Sequence, residues 1–301
     1  DFEVALQLAQ QQIHNGAHGL DICTALTENK NEAQNMQKVI KLITPTINAP
    51  LIIDTTDPNV MEIALKSAPG RCLLNSVNLG MEQDKIDQFF QLAKRFNASV
   101  IALTIDHTGM AKTAKRKLEI AQKIFKIAID KYKLQPNDLV FDPLTFTLAS
   151  GDSNSANSAV ETLKAIRLIQ ERLPDCLTIL GISNISYGLS PDSRKLLNSI
   201  FLFHALQSGL NMAIVHTSSI IPYATIPKNE RKIAGDLIFN KNNDALKNFI
   251  TYFMKRQGTF RHAQQFLMTK GLSTGERIYW RILHQEKKGL IEDIDKYISH
   301  R

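Results

Sequence analysis

The chain has 301 residues, 44% of them hydrophobic and 22% charged, a globular balance at a length that buries a large core without staples. No uninterrupted apolar run approaches the ~20 residues of a membrane helix, and the start Asp1-Phe2-Glu3 lacks the basic and apolar regions of a secretory signal. Cys23, Cys72 and Cys176 lie too far apart for a disulfide framework or a metal-ligand motif, and the net charge of +7 comes from lysines mixed with acids, so the expectation is a cytoplasmic protein with no membrane, nucleic-acid or metal partner.

A helical pattern over Phe2–Asn15 opens the chain, with no methionine and no strand before it. Strand patterns follow at Gly19–Ile22, Pro50–Thr55, Arg71–Val77, Val100–Asp106, Leu139–Leu144, Thr178–Asn184 and Met212–His216. Between them lie amphipathic stretches such as Ile86–Phe96, Ala114–Tyr132, Ala159–Leu173 and Arg194–Gly209. Strand and helix in alternation predict parallel βα units. Several strands are apolar throughout, which predicts burial of both faces.

Seven such strands are one short of a closed (β/α)8 barrel. The simplest expectation places the first strand upstream of Asp1, in a parent of which this chain is a fragment; another segment or a partner filling the gap is the alternative. No glycine-rich dinucleotide loop follows any strand. The basic run Lys112-Thr-Ala-Lys-Arg-Lys-Leu-Glu119 reads as a solvated helix face, and Gly151–Ser158 as a polar loop. From Asn242 onward only helical patterns remain, broken at Gly258, Gly271 and Gly289, with Ser273 and Glu276 spaced as a capping box. The predicted organisation is a barrel over 1–255 and a helical segment over 256–301.

Asp21, Asp54, Asn75, Asp106, Asp142, Asn184 and His216 each stand at or near the end of one predicted strand. In a parallel barrel those ends form one rim, the place where active sites are built. An acid or amide there also serves to cap the next helix; seven polar residues around one rim favour a site. There is no HExxH, no GxSxG and no phosphate loop. Carboxylates and primary amides accept and donate hydrogen bonds in one plane, which suits a polar heterocycle such as a reduced pterin better than a sugar phosphate.

Ile53-Asp-Thr-Thr-Asp57, Leu74-Asn-Ser-Val-Asn78, Phe141-Asp-Pro-Leu-Thr-Phe146 and Gly181-Ile-Ser-Asn-Ile-Ser-Tyr-Gly188 resemble the pterin-binding motifs of methyltetrahydrofolate:corrinoid methyltransferases. Ile221-Pro-Tyr-Ala-Thr-Ile-Pro227 and Asp236-Leu-Ile-Phe-Asn240 are similar to the folate module of cobalamin-dependent methionine synthases. The likeness covers roughly residues 1–255, and the tail near Glu276–Ile298 is similar to the start of the helical cap before the cobalamin domain.

The resemblance implies a TIM barrel of the pterin-binding type that takes 5-methyltetrahydrofolate as methyl donor. Asp54, Asn75 and Asp142 would orient the pterin and Asn184 would approach N5, with Asn184 and Asp142 as the catalytic pair. Gly181 and Ser183 would shape the loop beside the ring, and Asp21, Asp106 and Tyr187 would contribute at the rim. The methyl would pass to cob(I)alamin carried on another domain or a corrinoid protein, with a homocysteine-binding domain in the parent. No Asp-x-His-x-x-Gly cobalamin motif occurs here. His216-Thr217 stands where relatives carry Asn-Pro, and neither His216 nor His107 is given a role. The alternatives are a methyltransferase serving a corrinoid iron–sulfur protein, a dihydropteroate synthase-like enzyme, and a non-catalytic folate-binding module. The second would show a Ser-Arg-Lys triplet where this chain has Ser183-Asn-Ile-Ser.

Overall fold

The computed structural model describes residues 2–25, 31–150, 155–256, 272–283 and 289–299. These fall into two compact units, Asp1–Lys247 and Asn248–Arg301. The first unit alternates helix and strand in the order α1 (Phe2–His14), β1 (Leu20–Cys23), α2 (Glu32–Ile43), β2 (Leu51–Asp54), α3 (Pro58–Ser67), β3 (Leu73–Leu79), α4 (Gln83–Arg95) and β4 (Ser99–Asp106). It continues with β5 (Gly109–Met110), α5 (Ala114–Asp130), β6 (Leu139–Asp142), α6 (Ser158–Arg172), β7 (Leu177–Gly181), α7 (Pro191–Gln207), β8 (Met212–Ile214) and α8 (Lys228–Ile238). A ninth helix, α9, occupies 245–256.

The sheet runs β1-β2-β3-β4-β6-β7-β8 with every neighbour parallel, and the two-residue β5 folds back antiparallel on β4. It is a nearly closed TIM-type barrel of seven parallel strands, and no pairing joins β8 to β1 among the described residues. A hydrogen bond of 3.1 Å from Thr217 to Gln12 ties the segment after β8 to α1 instead. The β5 hairpin has no counterpart in the strand pattern, because two residues are too few to show a period.

The helices coat the outside by their apolar stripes. On α4, Ile86, Phe89, Phe90 and Ala93 follow the i, i+3, i+4, i+7 spacing and are all buried. They join Val100 and Ala102, one face of β4, in the main core between sheet and helices. The other face of β4 supplies Ile101 to a separate cluster inside the barrel. Burial on both faces is thus what makes β4 apolar from Val100 to Leu103. No helix among the described residues is long and apolar enough to cross a membrane.

In the second unit, α10 (Thr274–Leu283) packs on α11 (Leu290–Ser299). The capping box is formed: the Ser273 amide donates to Glu276 at 2.7 Å and the Glu276 amide donates to the Ser273 hydroxyl at 3.3 Å. Gly289 takes a φ of +76° at the start of α11, where the chain needs a left-handed residue. The helix breaks expected at Gly258 and Gly271 lie outside the described residues.

Candidate functional site

Alternate side chains of each strand face the barrel interior. There Ile101, Val140 and Ile179 form a small buried cluster, with Ile52, Leu73, Leu103, Leu177, Met212 and Ile214 packed against it. The same alternation turns inward Asp54, two residues past Ile52; Asn75, two past Leu73; Asp142, two past Val140; and Gly181, two past Ile179. An apolar plug therefore gives way to acids and amides toward the C-terminal mouth. Strand register sets Cys23 beside Asp54 and Asp54 beside Asn75, while Asp21 lies one layer deeper beside Ile52.

These residues are not helix caps. The α-helix N-caps recorded after the strands are Asn31, Asp57, Glu82, Thr113, Asn157, Ser190 and Pro227. Asp57 performs that task for α3, accepting from the Asn59 amide at 2.8 Å, and Thr113 does so for α5. Asp21, Asp54, Asn75, Asp142 and Asn184 are left for another purpose.

Asp142 is buried to 6% exposure. Loss of water pushes its carboxyl up to about 7, against the opposing pull of the Leu144 and Gly181 amides, which donate to it, and of the Lys117 charge. The Leu144 contact is 2.7 Å long, and Leu144 itself sits at φ +57°, a left-handed conformation that costs a branched residue on the order of 1 kcal/mol. Three bonds hold that turn: the Leu144 amide to Asp142, and the Leu144 carbonyl accepting from Lys117 at 3.0 Å and from Thr162 at 2.8 Å.

Lys117 corrects the reading of 112–119 as a solvated face. It is only 1% exposed, and its ammonium donates to the carbonyls of Pro143 and Leu144 beneath the Asp142 turn. The Phe146 ring lies 6.0 Å from it. Taking an ammonium out of water costs several kcal/mol, and burial accordingly pushes its pKa down to about 8, while Asp142 and then Glu161 oppose that shift. The signal was present in the sequence: Lys117 falls on the buried stripe of α5 with Ile120, Ala121 and Ile124.

On the other side of the mouth, Asp21 is exposed by surface area, yet the protein around its carboxyl and then the charge of Asp54 push it up to about 6. Asp54 is raised by burial, lowered by a hydrogen bond from the Cys23 thiol, and raised again by Glu32. Glu32 is held by the Thr55 hydroxyl at 2.7 Å. Raised carboxylates in one cleft mark a candidate functional site.

Asn184 lies past β7, on the 3-10 turn Ile182–Ser186. A Cβ at Gly181 would meet the Asn184 amide nitrogen at 3.4 Å, an ordinary contact, which places the Asn184 side chain beside the end of β7. Ser183 and Asn184 are exposed, and Tyr187 is 72% exposed. The Thr147 hydroxyl donates to the Tyr187 carbonyl at 2.7 Å, pinning this turn to the loop after β6. The amide side chains of Asn75 and Asn184 have no hydrogen-bond partner among the described residues, which leaves both available to a ligand.

Asp106 is placed apart from this set. Its parity follows Val100 and Ala102, on the helix-facing side of β4. It accepts from the Thr108 hydroxyl at 2.6 Å and amide at 3.0 Å, and pairs with Arg116. These donors outweigh burial and hold its carboxyl below the usual range. His107 is exposed beside it. His216 is exposed too and meets Ser218 at 2.9 Å. Two open cavities of about 220 and 340 Å3 lie elsewhere, on the outer surface around His204 and Phe239, and neither has an acidic residue in its lining.

The profile of the family described as "Pterin binding enzyme" matches residues 1–216. Across its whole length the chain is 33% identical to the methionine synthase of Mycobacterium tuberculosis and 32% identical to that of Mycobacterium leprae. It spans 26% and 25% of those relatives, about a quarter of each. Among solved structures, the dihydropteroate synthase of Xanthomonas albilineans with 4-aminobenzoic acid superposes with a TM-score of 0.57 at 18% identity, over 72% of this chain and 82% of that one. That likeness concerns the fold. An inward ring of acids and amides at a barrel mouth and a profile spanning nearly all of the barrel agree, and the chain belongs to the pterin-binding enzyme family.

Proposed function

We propose that the chain binds 5-methyltetrahydrofolate at the barrel mouth and supports transfer of its N5 methyl group to a corrinoid held by another domain or protein. The observation that carries this reading is the set of acids and amides that neither cap helices nor form ion pairs: Asp54, Asn75 and Asp142 on the inward parity of their strands, and Asn184 on the turn after β7. An ionised carboxylate accepts paired N–H bonds from the guanidine-like edge of a reduced pterin. Buried Asp142 fits that edge, with Asp54 and Asn75 along the ring and Asp21 deeper in the mouth. Gly181 and Ser183 border the ring on the β7 side, and exposed Tyr187 offers an aromatic surface at the rim.

In this reaction the C–N5 bond breaks, its electron pair stays on N5, and N5 holds a proton as it leaves. A reduced corrinoid supplies the nucleophile when it docks. Asn184 carries no proton to give at neutral pH, so its task is to hold the N5–H state by hydrogen bonding together with a carboxylate and water. Its exposure leaves the ring accessible to a large planar acceptor. Residues 1–255 then serve as the folate module and 256–301 as the start of a cap before a cobalamin domain. In the parent protein the methyl would go on to homocysteine.

Calorimetric titration with 5-methyltetrahydrofolate, paired with single-turnover methyl transfer to added cob(I)alamin, tests both parts. Asn184→Ala should cut transfer by about 100-fold, the scale for one such hydrogen bond in a transition state, and change affinity by only a few fold. Equal losses would remove the role assigned to Asn184. Tight binding without any transfer would favour a non-catalytic folate module.

A further inference from the structure

We infer that Lys117 is the positioning residue of the mouth: its ammonium clamps the turn that aims Asp142, and its charge favours the carboxylate form that accepts a proton-donating ligand edge. The ligand class this implies is a heterocycle presenting two N–H groups, rather than an acceptor edge or an anion. The ligand part of the inference rests on the function proposed above; the coupling of the two side chains does not.

The geometry carries the argument. Lys117 is buried, and its hydrogen bonds run to backbone carbonyls, at Pro143 and Leu144, and not to a carboxylate. A lysine that served only to neutralise Asp142 would pair with it directly. Here the cation holds the carbonyl side of the turn while the Leu144 and Gly181 amides donate to Asp142. The acid keeps lone pairs for a ligand, and the positive charge behind it favours the ionised form. Without that charge, burial would push the Asp142 carboxyl further up, toward the protonated form in which one oxygen is a donor.

The other charged groups facing α5 are accounted for. Glu161 of α6 accepts from the Ala114 amide at 2.7 Å and from Lys164 at 3.2 Å. Asp106 of β4 is paired with Arg116, which also reaches Glu119 on α5 itself at 3.2 Å. β3 and β7 bring no titratable side chain. Asp142 is therefore the acid of this neighbourhood that has no ion-pair partner among the described residues and feels Lys117 only through its charge.

The test is the titration of the Asp142 carboxyl by 13C NMR in the ligand-free chain. Lys117→Met should move its midpoint up by about one pH unit or more, the scale of a nearby charge, and Lys117→Arg should hold it near the wild-type value. A purely structural loss would admit water and lower the midpoint, so an unchanged or lowered value overturns the inference. Should Lys117→Met fail to fold, Asp142→Asn supplies the reciprocal measurement, because coupling between two sites is mutual. The Lys117 ammonium should then titrate at lower pH than in wild type, and no change overturns the inference. In a parallel arm, the pH at which 5-methyltetrahydrofolate affinity halves should follow the Asp142 midpoint in each variant. If wild type binds no 5-methyltetrahydrofolate at any pH while the carboxyl shift persists, the proposed function falls and the positioning role stands.

Discussion

Two acids, one in each unit, are buried to the same 6% exposure and behave in opposite ways. Asp293, on α11, accepts from Arg277 at 3.0 and 3.1 Å and from Arg281 at 2.7 Å. Burial works to raise its pKa, but the hydrogen bonds and charges of the two guanidinium groups outweigh it and hold the carboxyl below the ordinary value. Asp142 has no direct cation, and its carboxyl rises to about 7. The lesson is that depth of burial does not set a carboxylate's role; saturation of its oxygens does. Asp293 is a clasp with nothing left to offer, whereas Asp142 remains an acceptor in waiting.

Breaking the comparison at Asp142 should have the largest effect. Asp142→Asn should weaken 5-methyltetrahydrofolate binding by about 100-fold, since charge-assisted bonds to a buried group contribute about 2–3 kcal/mol; calorimetry reads this directly. The same substitution sharpens the pH argument. In the ligand-free protein the stability linked to Asp142 protonation is fully present below the ordinary value of 3.8 and is lost as pH rises through about 7. If pterin binds through the ionised form, as proposed, wild-type affinity should fall about tenfold per unit below pH 7. Urea denaturation from pH 4 to 8 should show the slope in wild type and a flatter line in the variant.

Asp293→Asn should act on the other unit and with the other sign. Its linked stability is present above 3.8 and is lost as pH falls through its lowered folded value. At neutral pH the substitution removes the anionic partner that the two guanidinium groups share, and since both are partly solvated the loss should be about 1–2 kcal/mol. Hydrogen exchange at the amides of α10 and α11 would report it, with pterin affinity unchanged. The smallest effect on binding is expected at Asp106, a second saturated acid. Asp106→Asn should lower the Tm of the first unit by a few degrees and leave affinity within about twofold, so a tenfold loss of affinity would return Asp106 to the binding set.

The parts of the mouth that were legible in the sequence share one property: they sit on strands whose period is two. Asp54, Asn75 and Asp142 follow apolar residues at that period, so their grouping needed only the strand pattern and the barrel rule. Asp106 obeys the same strand-end pattern, yet it lies one residue off the inward parity of β4, and that offset turned it toward Arg116. Asn184 comes after the strand proper, on a 3-10 turn whose geometry has no period to read. Lys117 was misread because local composition, four cations and one acid in the eight residues 112–119, spoke louder than its place on the α5 stripe.

By itself the sequence determined the alternation of strands and helices, the burial of both sheet faces and the acid–amide composition of the mouth, because each is written in periodicity and residue type. Only the tertiary structure decided which acids are saturated. It left the seven-stranded barrel nearly closed with Thr217 reaching Gln12, laid Lys117 under the Asp142 turn, and matched two arginines to Asp293. Those outcomes depend on groups far apart in the chain meeting at hydrogen-bond distance, and on water being excluded when they do. Local pattern carries no record of either.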